Sequence, residues 1–329
     1  MAVAPDPSAI KDGGPPDAPP ADAPFHDDVS EGPAPAHCLW LTARDGVRLR
    51  AGFWPEGERG TVLLLPGRTE YVEKYAPAAA DFAARGYAML AIDWRGQGLA
   101  DRPLAERNMG HVARFADYQN DLQAVIAAAE RLDMPRPWYL VGHSMGGAIG
   151  LRAIYEGLQI KAAMFSAPMW GIFIPPAMVP VAWGVSTIAR NAGLGDRFIP
   201  GGGPVTYVAD APFEDNTLTT DRAMFDMMKR QVTTHPELSL GSPSIHWLYE
   251  ALYECRRLCR RKAPKMPMIT FLGMNERIVR VPAVEGRVAS WPGALLVRVP
   301  GAEHEIMMET PTTRAQFFDA AAELFAAHR

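Results

Sequence analysis

Apolar residues in this chain alternate between short unbroken runs and helical spacing. Thr61 to Leu65 is one such run, closed by Pro66-Gly67, and Tyr87 to Ile92 is another, closed by Asp93. Between them Tyr71, Tyr75, Ala79 and Phe82 recur every three to four residues, the spacing of a helix. A strand buried on both faces reads as a continuous apolar run, so this is a strand-helix-strand unit of a parallel sheet. The unit repeats with a helix over Phe115 to Leu132, a strand from Trp138 to Val141, a helix after Ser144 and a strand from Ala162 to Phe165. Ahead of them Cys38 to Ala43 and Val47 to Trp54 flank Asp45-Gly46, a strong hairpin signal. The pattern predicts an α/β fold built on a doubly wound, mostly parallel sheet.

The alternation breaks between about 167 and 242, where the chain turns rich in Pro, Gly, Trp and Met and includes Gly201-Gly202-Gly203. A cap inserted into the sheet domain is expected there. Order resumes with a helix started by Ser242-Pro243, strands at Met268 to Leu272 and Ala294 to Val299, and a last helix from about Pro311 to His328. The expected organisation is a core from 38–166 and 243–329, with the cap at 167–242.

Residues 1–37 are different in kind. They hold seven acids against one base, Lys11, and nine prolines, with few large apolar side chains. Such a stretch buries too little surface to offset its ordering entropy, and is expected to be disordered. The whole chain has 33 basic and 37 acidic residues, which gives no electrostatic footprint for nucleic acid. The N-terminus lacks the basic start and apolar run of a secretory signal, and Cys38, Cys255 and Cys259 are too few and odd in number for a disulfide framework. A reduced, cytoplasmic setting is expected. No charged residue falls between Ala162 and Ala189, but Pro168, Pro175, Pro176 and Pro180 interrupt that stretch. A lipid-exposed span must keep its backbone hydrogen bonds, so an apolar lid or substrate channel is the expectation.

The chemistry centres on Gly142-His143-Ser144-Met145-Gly146-Gly147, set between a strand and a helix. This is the nucleophile elbow, whose turn is so tight that the residues two before and two after the serine must lack side chains. A serine hydroxyl is a weak nucleophile and needs a base, itself oriented by a third group. In this fold class the chain order is serine, acid, histidine. Of the histidines after the elbow, His304 alone lies in a loop at a strand's C-terminal end, whereas His235 and His246 fall in or near the cap and His328 on the last helix. Glu276 is the carboxylate on the loop after Met268 to Leu272; the rival reading pairs it at the surface with Arg277 or Arg280. Asp93 precedes the serine and has the wrong order. The oxyanion donors are expected to be the backbone N–H groups of Met145 and Arg68. An acyl chain could be lined by cap residues such as Trp170, Phe173, Met178 and Trp183, although ordinary cap packing explains them equally well. No metal or cofactor is implied.

With these residues the chain resembles the monoacylglycerol lipase and lysophospholipase group of α/β hydrolases, and is most similar to bacterial PldB-type lysophospholipases. The resemblance covers about 40–328. It rests on Leu65-Pro66-Gly67-Arg68-Thr69-Glu70-Tyr71 with Glu73-Lys74-Tyr75, on Ile92-Asp93-Trp94-Arg95-Gly96-Gln97-Gly98, on Gly110-His111-Val112 with Phe115, Asp117 and Tyr118, on the elbow, on His246-Trp247, and on Glu276-Arg277-Ile278-Val279. Pro66-Gly67 stands where many of the wider group have His-Gly, and Glu276 where most have Asp; the lysophospholipase branch shares both. The resemblance implies hydrolysis of an acyl ester on a glycerol or glycerophospho backbone, with possible contact at the inner face of a membrane. The cluster Arg256, Arg257, Arg260, Arg261, Lys262 and Lys265 could meet anionic head groups there, or form a solvated helix end. The rivals are a small-molecule esterase or peptidase of the same fold, and a catalytically silent binding protein. Oligomeric state is not legible in the sequence.

Overall fold

The structure is a computed structural model that describes residues 20–329. Nine strands among them form one sheet in the order β1-β2-β3-β5-β4-β6-β7-β8-β9. These are β1 (Ala21–Asp22), β2 (His37–Thr42), β3 (Arg48–Trp54), β4 (Thr61–Leu65), β5 (Ala88–Asp93), β6 (Trp138–His143), β7 (Ala163–Ser166), β8 (Met268–Gly273) and β9 (Leu295–Val299). The first three strands and the β3–β5 pair are antiparallel; every pairing from β5 through β4 to β9 is parallel. The hairpin predicted at Asp45-Gly46 joins β2 to β3, with Gly46 at a φ of 85°.

The period of two along the strands sorts the core into two layers. Leu63, Leu65, Leu90, Ile92 and Leu140 face α2 (Tyr118–Arg131), α3 (Ser144–Tyr155), α7 (Ile245–Cys259) and α8 (Val281–Ala289). Val62, Leu64, Met89, Tyr139 and Val141 face α1 (Ala76–Ala84) and α9 (Pro311–Ala326). Because both faces are covered, the strands carry unbroken apolar runs. The segment expected as a cap carries α4 (Val179–Asn191), α5 (Tyr207–Asp210) and α6 (Arg222–Thr234). Phe225, Met228 and Val232 of α6 join the α1/α9 layer, so this helix shares a core with the sheet domain. The uncharged stretch from Ala162 to Ala189 is divided among β7, a loop and the first part of α4, and no helix among the described residues is long and apolar enough to cross a membrane. All three cysteines are free.

The expectation of disorder through residue 37 needs correcting. Residues 1–19 lie outside the described residues, but 20–37 are built into the fold. β1 pairs with β2, and Val29 and Ser30 are buried. The acids there find basic partners that composition cannot reveal: Asp28 sits 3.0 Å from His235 Nε2, and Glu31 pairs with Arg230. Gln231 donates to the Val29 carbonyl at 2.9 Å. Backbone pairing and a few cross-chain contacts thus hold a segment whose own apolar content is low.

Under this segment lies a buried charge cluster. Arg50 donates to both oxygens of Glu73 at 2.6 Å each, to Asp93 at 2.7 Å, and to the Pro24 carbonyl at 2.9 Å. Asp93 also accepts the N–H groups of Val72 and Leu99. All three side chains are fully buried, so each charge depends on the others for the solvation it has lost. Arg50→Met leaves two carboxylates unpaired and is expected to cost roughly 3–5 kcal/mol. Urea denaturation measures this, and an unchanged midpoint would contradict it.

Candidate active site

β6 ends directly in α3, and Ser144 stands at the junction with a φ of 46°, the left-handed region that a residue with a Cβ rarely adopts. The neighbouring glycines make that turn possible. A Cβ on Gly147 would meet Pro168 at 2.6 Å, and one on Gly146 would strike the backbone of Leu65 and Pro66. The helix therefore approaches the end of β4 more closely than any side chain allows. Met145 lies in the first turn of α3, where backbone N–H groups have no intrahelical acceptor.

β7, β8 and β9 run parallel to β6 in continuous register, so the loops leaving their C-terminal ends gather on one edge of the sheet. Glu276 leaves β8 and His304 leaves β9. His304 Nδ1 lies 2.7 Å from Glu276 Oε2. The other carboxylate oxygen accepts the N–H groups of Ile278 at 2.6 Å and Val279 at 2.9 Å. Both side chains are buried. Burial alone raises the Glu276 carboxyl, but His304 and these two N–H groups outweigh it and hold the acid below its usual range. For His304 the balance is reversed: burial disfavours the imidazolium, yet Glu276, with Glu305 and Glu70 behind it, brings the net shift upward. The surface pairing considered for Glu276 does not occur. Arg277 reaches Asp215 and Glu303 instead. Asp93 is occupied by Arg50, as described above.

Facing the elbow is the loop after β4. Trp94 donates to Pro66 O and Gln97 to Gly67 O, each at 2.9 Å, and Glu70 accepts the Gly67 N–H. The Arg68 N–H has no acceptor among the described residues. Its side chain turns away from the loop, donates to Gly241 O and lies over the Trp247 ring at 5.4 Å. Burial without a carboxylate partner pulls the guanidinium down to about 10.

The expected acyl lining fares less uniformly. Trp170 is packed into the sheet core against Phe165 and Trp291 and donates to Gly147 O at 3.1 Å, so it braces the elbow and lines no cap surface. Trp183 is half-buried between Tyr249 and Arg256. Phe173 and Met178 are about half exposed, at 54% and 49%. A small cavity of about 50 Å³ does open between the β4 loop and the cap, lined by Thr69, Tyr71, Thr206, Tyr207, Leu218 and Glu305 among others. Of its cap residues, Thr206, Tyr207 and Leu218 fall in no apolar period of the sequence, while Met228 and Val232 lie one turn apart on α6. A second group that sequence reasoning missed is Glu70, Lys74, His143 and Glu305, buried together behind the elbow. Glu70 and Lys74, one helical turn apart, were visible only as part of a motif.

A family model described as serine aminopeptidase, S33, matches residues 56–311. Lysophospholipase L2 of Escherichia coli K12 is 29% identical over 303 residues, covering 88% of this chain and 87% of that protein. The monoacylglycerol lipase of Mycolicibacterium smegmatis is 29% identical over 143 residues, 42% of this chain and 49% of that one. Among solved structures, a soluble variant of the Saccharomyces cerevisiae monoglyceride lipase superposes with a TM-score of 0.70 at 21% identity, over 93% of this chain and 99% of that chain. A Paleococcus ferrophilus monoacylglycerol lipase gives a TM-score of 0.63 at 18% identity, over 85% and 99%. With an elbow serine on this sheet and a family match over most of its length, the chain belongs to the S33 serine aminopeptidase family, a serine hydrolase family, and has the α/β-hydrolase fold.

Proposed function

We propose that this protein hydrolyses a single acyl ester of the lysophospholipid or monoacylglycerol type, by way of an acyl-enzyme on Ser144. The observation that carries the reading is the 2.7 Å contact of His304 with a buried, ionised Glu276 at the strand ends beside the elbow. Ser144 Oγ attacks the ester carbonyl and His304 Nε2 takes its proton. Glu276 accepts from Nδ1–H, which keeps the imidazole turned and stabilises its charged form. The oxyanion is met by the N–H groups of Met145 and Arg68. His304 then returns the proton to the departing alcohol, and water cleaves the acyl-enzyme by the reverse steps. The substrate class is supported by the similarity to Lysophospholipase L2 across nearly the whole of both chains.

Ser144→Ala is expected to lower esterase turnover by a factor on the order of 10⁶ and to abolish labelling by a fluorophosphonate. Full activity in that variant would overturn the mechanism, and a parent protein that does not label would point to a silent binding protein. Since the base must be neutral to act, activity falls as pH drops through the raised pKa of His304; Glu276→Gln moves that limb to lower pH. A panel of lysophospholipids, monoacylglycerols and aminoacyl arylamides separates lipid ester from peptide substrates. Turnover confined to the arylamides would replace the ester reading with the peptidase one.

The same reading includes peripheral contact with a membrane. Met178, Val181, Val185 and Ile188 are exposed at helical spacing along α4 and its lead-in turn, and Phe173, in the loop before them, is exposed too. Arg190 closes that helix, and α7, which packs on α4, ends in the Arg256 to Lys265 basic cluster. An apolar face flanked by cations suits an anionic bilayer surface. Val185→Ser with Ile188→Ser is expected to reduce sedimentation with phosphatidylglycerol vesicles while hydrolysis of a soluble short-chain ester stays near the parent level. Equal sedimentation of the two proteins would remove α4 from the contact.

A further inference from the structure

Four ionisable side chains that the mechanism above does not use are buried together against three loops of the site. Lys74 Nζ stands 2.7 Å from Glu70 Oε1 and 2.8 Å from Glu305 Oε1. His143 Nε2 faces Glu305 Oε2 at 3.2 Å and Glu70 Oε1 at 3.5 Å. Its Nδ1 is 3.1 Å from the Ser166 carbonyl, which only accepts, so Nδ1 is assigned as the donor there. Glu70 Oε2 takes the Tyr75 hydroxyl at 2.5 Å and the Gly67 N–H. Glu70, Lys74, His143 and Glu305 are each no more than 5% exposed.

The placement matters more than the pairing. Glu70 belongs to the loop that presents the Arg68 N–H, and it holds that loop by the amide one residue earlier. A Cβ on Gly67 would lie 3.0 Å from Glu70 and 3.1 Å from His143, so the loop rests directly on this cluster. His143 is the residue before Ser144. Glu305 is the residue after His304, and the His143 and His304 rings are 4.9 Å apart. One ammonium thus ties the oxyanion loop to the histidine loop, while His143, on the elbow, turns its Nε2 edge toward both carboxylates. Lys74 supplies the positive charge that two facing carboxylates would otherwise draw from a metal ion.

We infer that Glu70, Lys74, His143 and Glu305 are positioning residues for the hydrolase reaction, holding the oxyanion loop and keeping negative charge behind His304. This rests on the Ser144, His304 and Glu276 reading. The groups that face His304 are Glu276 from the β8 loop, Glu305 from its own loop, Glu70 from the β4 loop and His143 from β6. Glu305 is buried, which alone would favour its neutral form, but Lys74 and His143 hold it well below the usual carboxylate range. It is therefore charged throughout the working pH range, and its charge favours the imidazolium that forms in the transition state.

The test is the pH profile of kcat/KM for Glu305→Gln in the full-length protein, with a soluble short-chain ester. Removing a negative charge beside His304 moves the acid limb to lower pH. The plateau falls by about 10-fold or more through kcat, with KM near the parent value, because misplacing a donor or base without touching the substrate affects the reacting geometry. Glu305→Asp, which retains the charge, brings the limb back. Glu70→Gln removes the second charge and frees the Gly67 N–H, so it shifts the limb in the same direction and also slows fluorophosphonate labelling. It carries the test should Glu305→Gln fail to fold. A purely structural cluster would lower the melting temperature of these variants and leave the limb in place, and an unmoved limb with a parent-like plateau overturns the inference. If the parent itself fails to label at Ser144, the underlying mechanism is at fault; if it labels and only the limb is unmoved, this inference alone falls.

Discussion

The constraint on which the site depends is the close approach of α3 to the end of β4. With only hydrogens at Gly146 and Gly147, the helix can start where a Cβ would meet the Leu65 and Pro66 backbone or the Pro168 ring. That contact forces Ser144 into a left-handed conformation and holds its side chain at the sheet edge. It also puts the first turn of α3 against the backbone of Leu65 and Pro66, where the loop that carries Arg68 begins. The strain at one residue is offset by packing on both sides, with the Trp170 indole donating to the Gly147 carbonyl from beneath.

The second organising feature is desolvated charge. This catalytic edge buries acids and bases that water would normally solvate, and each must find its counter-charge within the fold. Arg50 answers Glu73 and Asp93 on one side of the β4 loop, and Lys74 answers Glu70 and Glu305 on the other. Glu73 and Glu70 differ by three positions in one segment, yet they serve separate clusters because the 3-10 turn at Val72–Tyr75 points them apart. The first cluster also anchors residues 20–37 through Pro24 and His26, which links an acidic, proline-rich segment to the hydrolase core.

Much of this was legible before any coordinates. Strand runs, the Asp45-Gly46 hairpin and the Gly-x-Ser-x-Gly elbow depend on local periodicity and local sterics, and these survive in a single sequence. The order serine, glutamate, histidine could be assigned because each candidate falls in a loop directly after an apolar run. What could not be read depended on partners distant in the chain. Composition suggested disorder through residue 37, whereas Arg50, Arg230, Gln231 and His235, far along the chain, hold residues 24–31. Trp170 looked like cap lining because it sits among Pro, Met and Phe; its burial against Trp291 depends on the turn between α8 and β9, more than a hundred residues later.

The amino-acid sequence by itself determined the sheet, the elbow that carries Ser144 and the order of Ser144, Glu276 and His304 on successive strand ends, because apolar period and backbone sterics act over a few neighbouring residues. Only the tertiary structure decided which charges face one another. It divided the two oxygens of Glu276 between His304 and the Ile278 and Val279 amides, left Arg277 to Asp215, and enclosed Lys74 between Glu70 and Glu305. Electrostatic pairing weakens with distance through space and strengthens with burial, and neither is encoded by position along the chain.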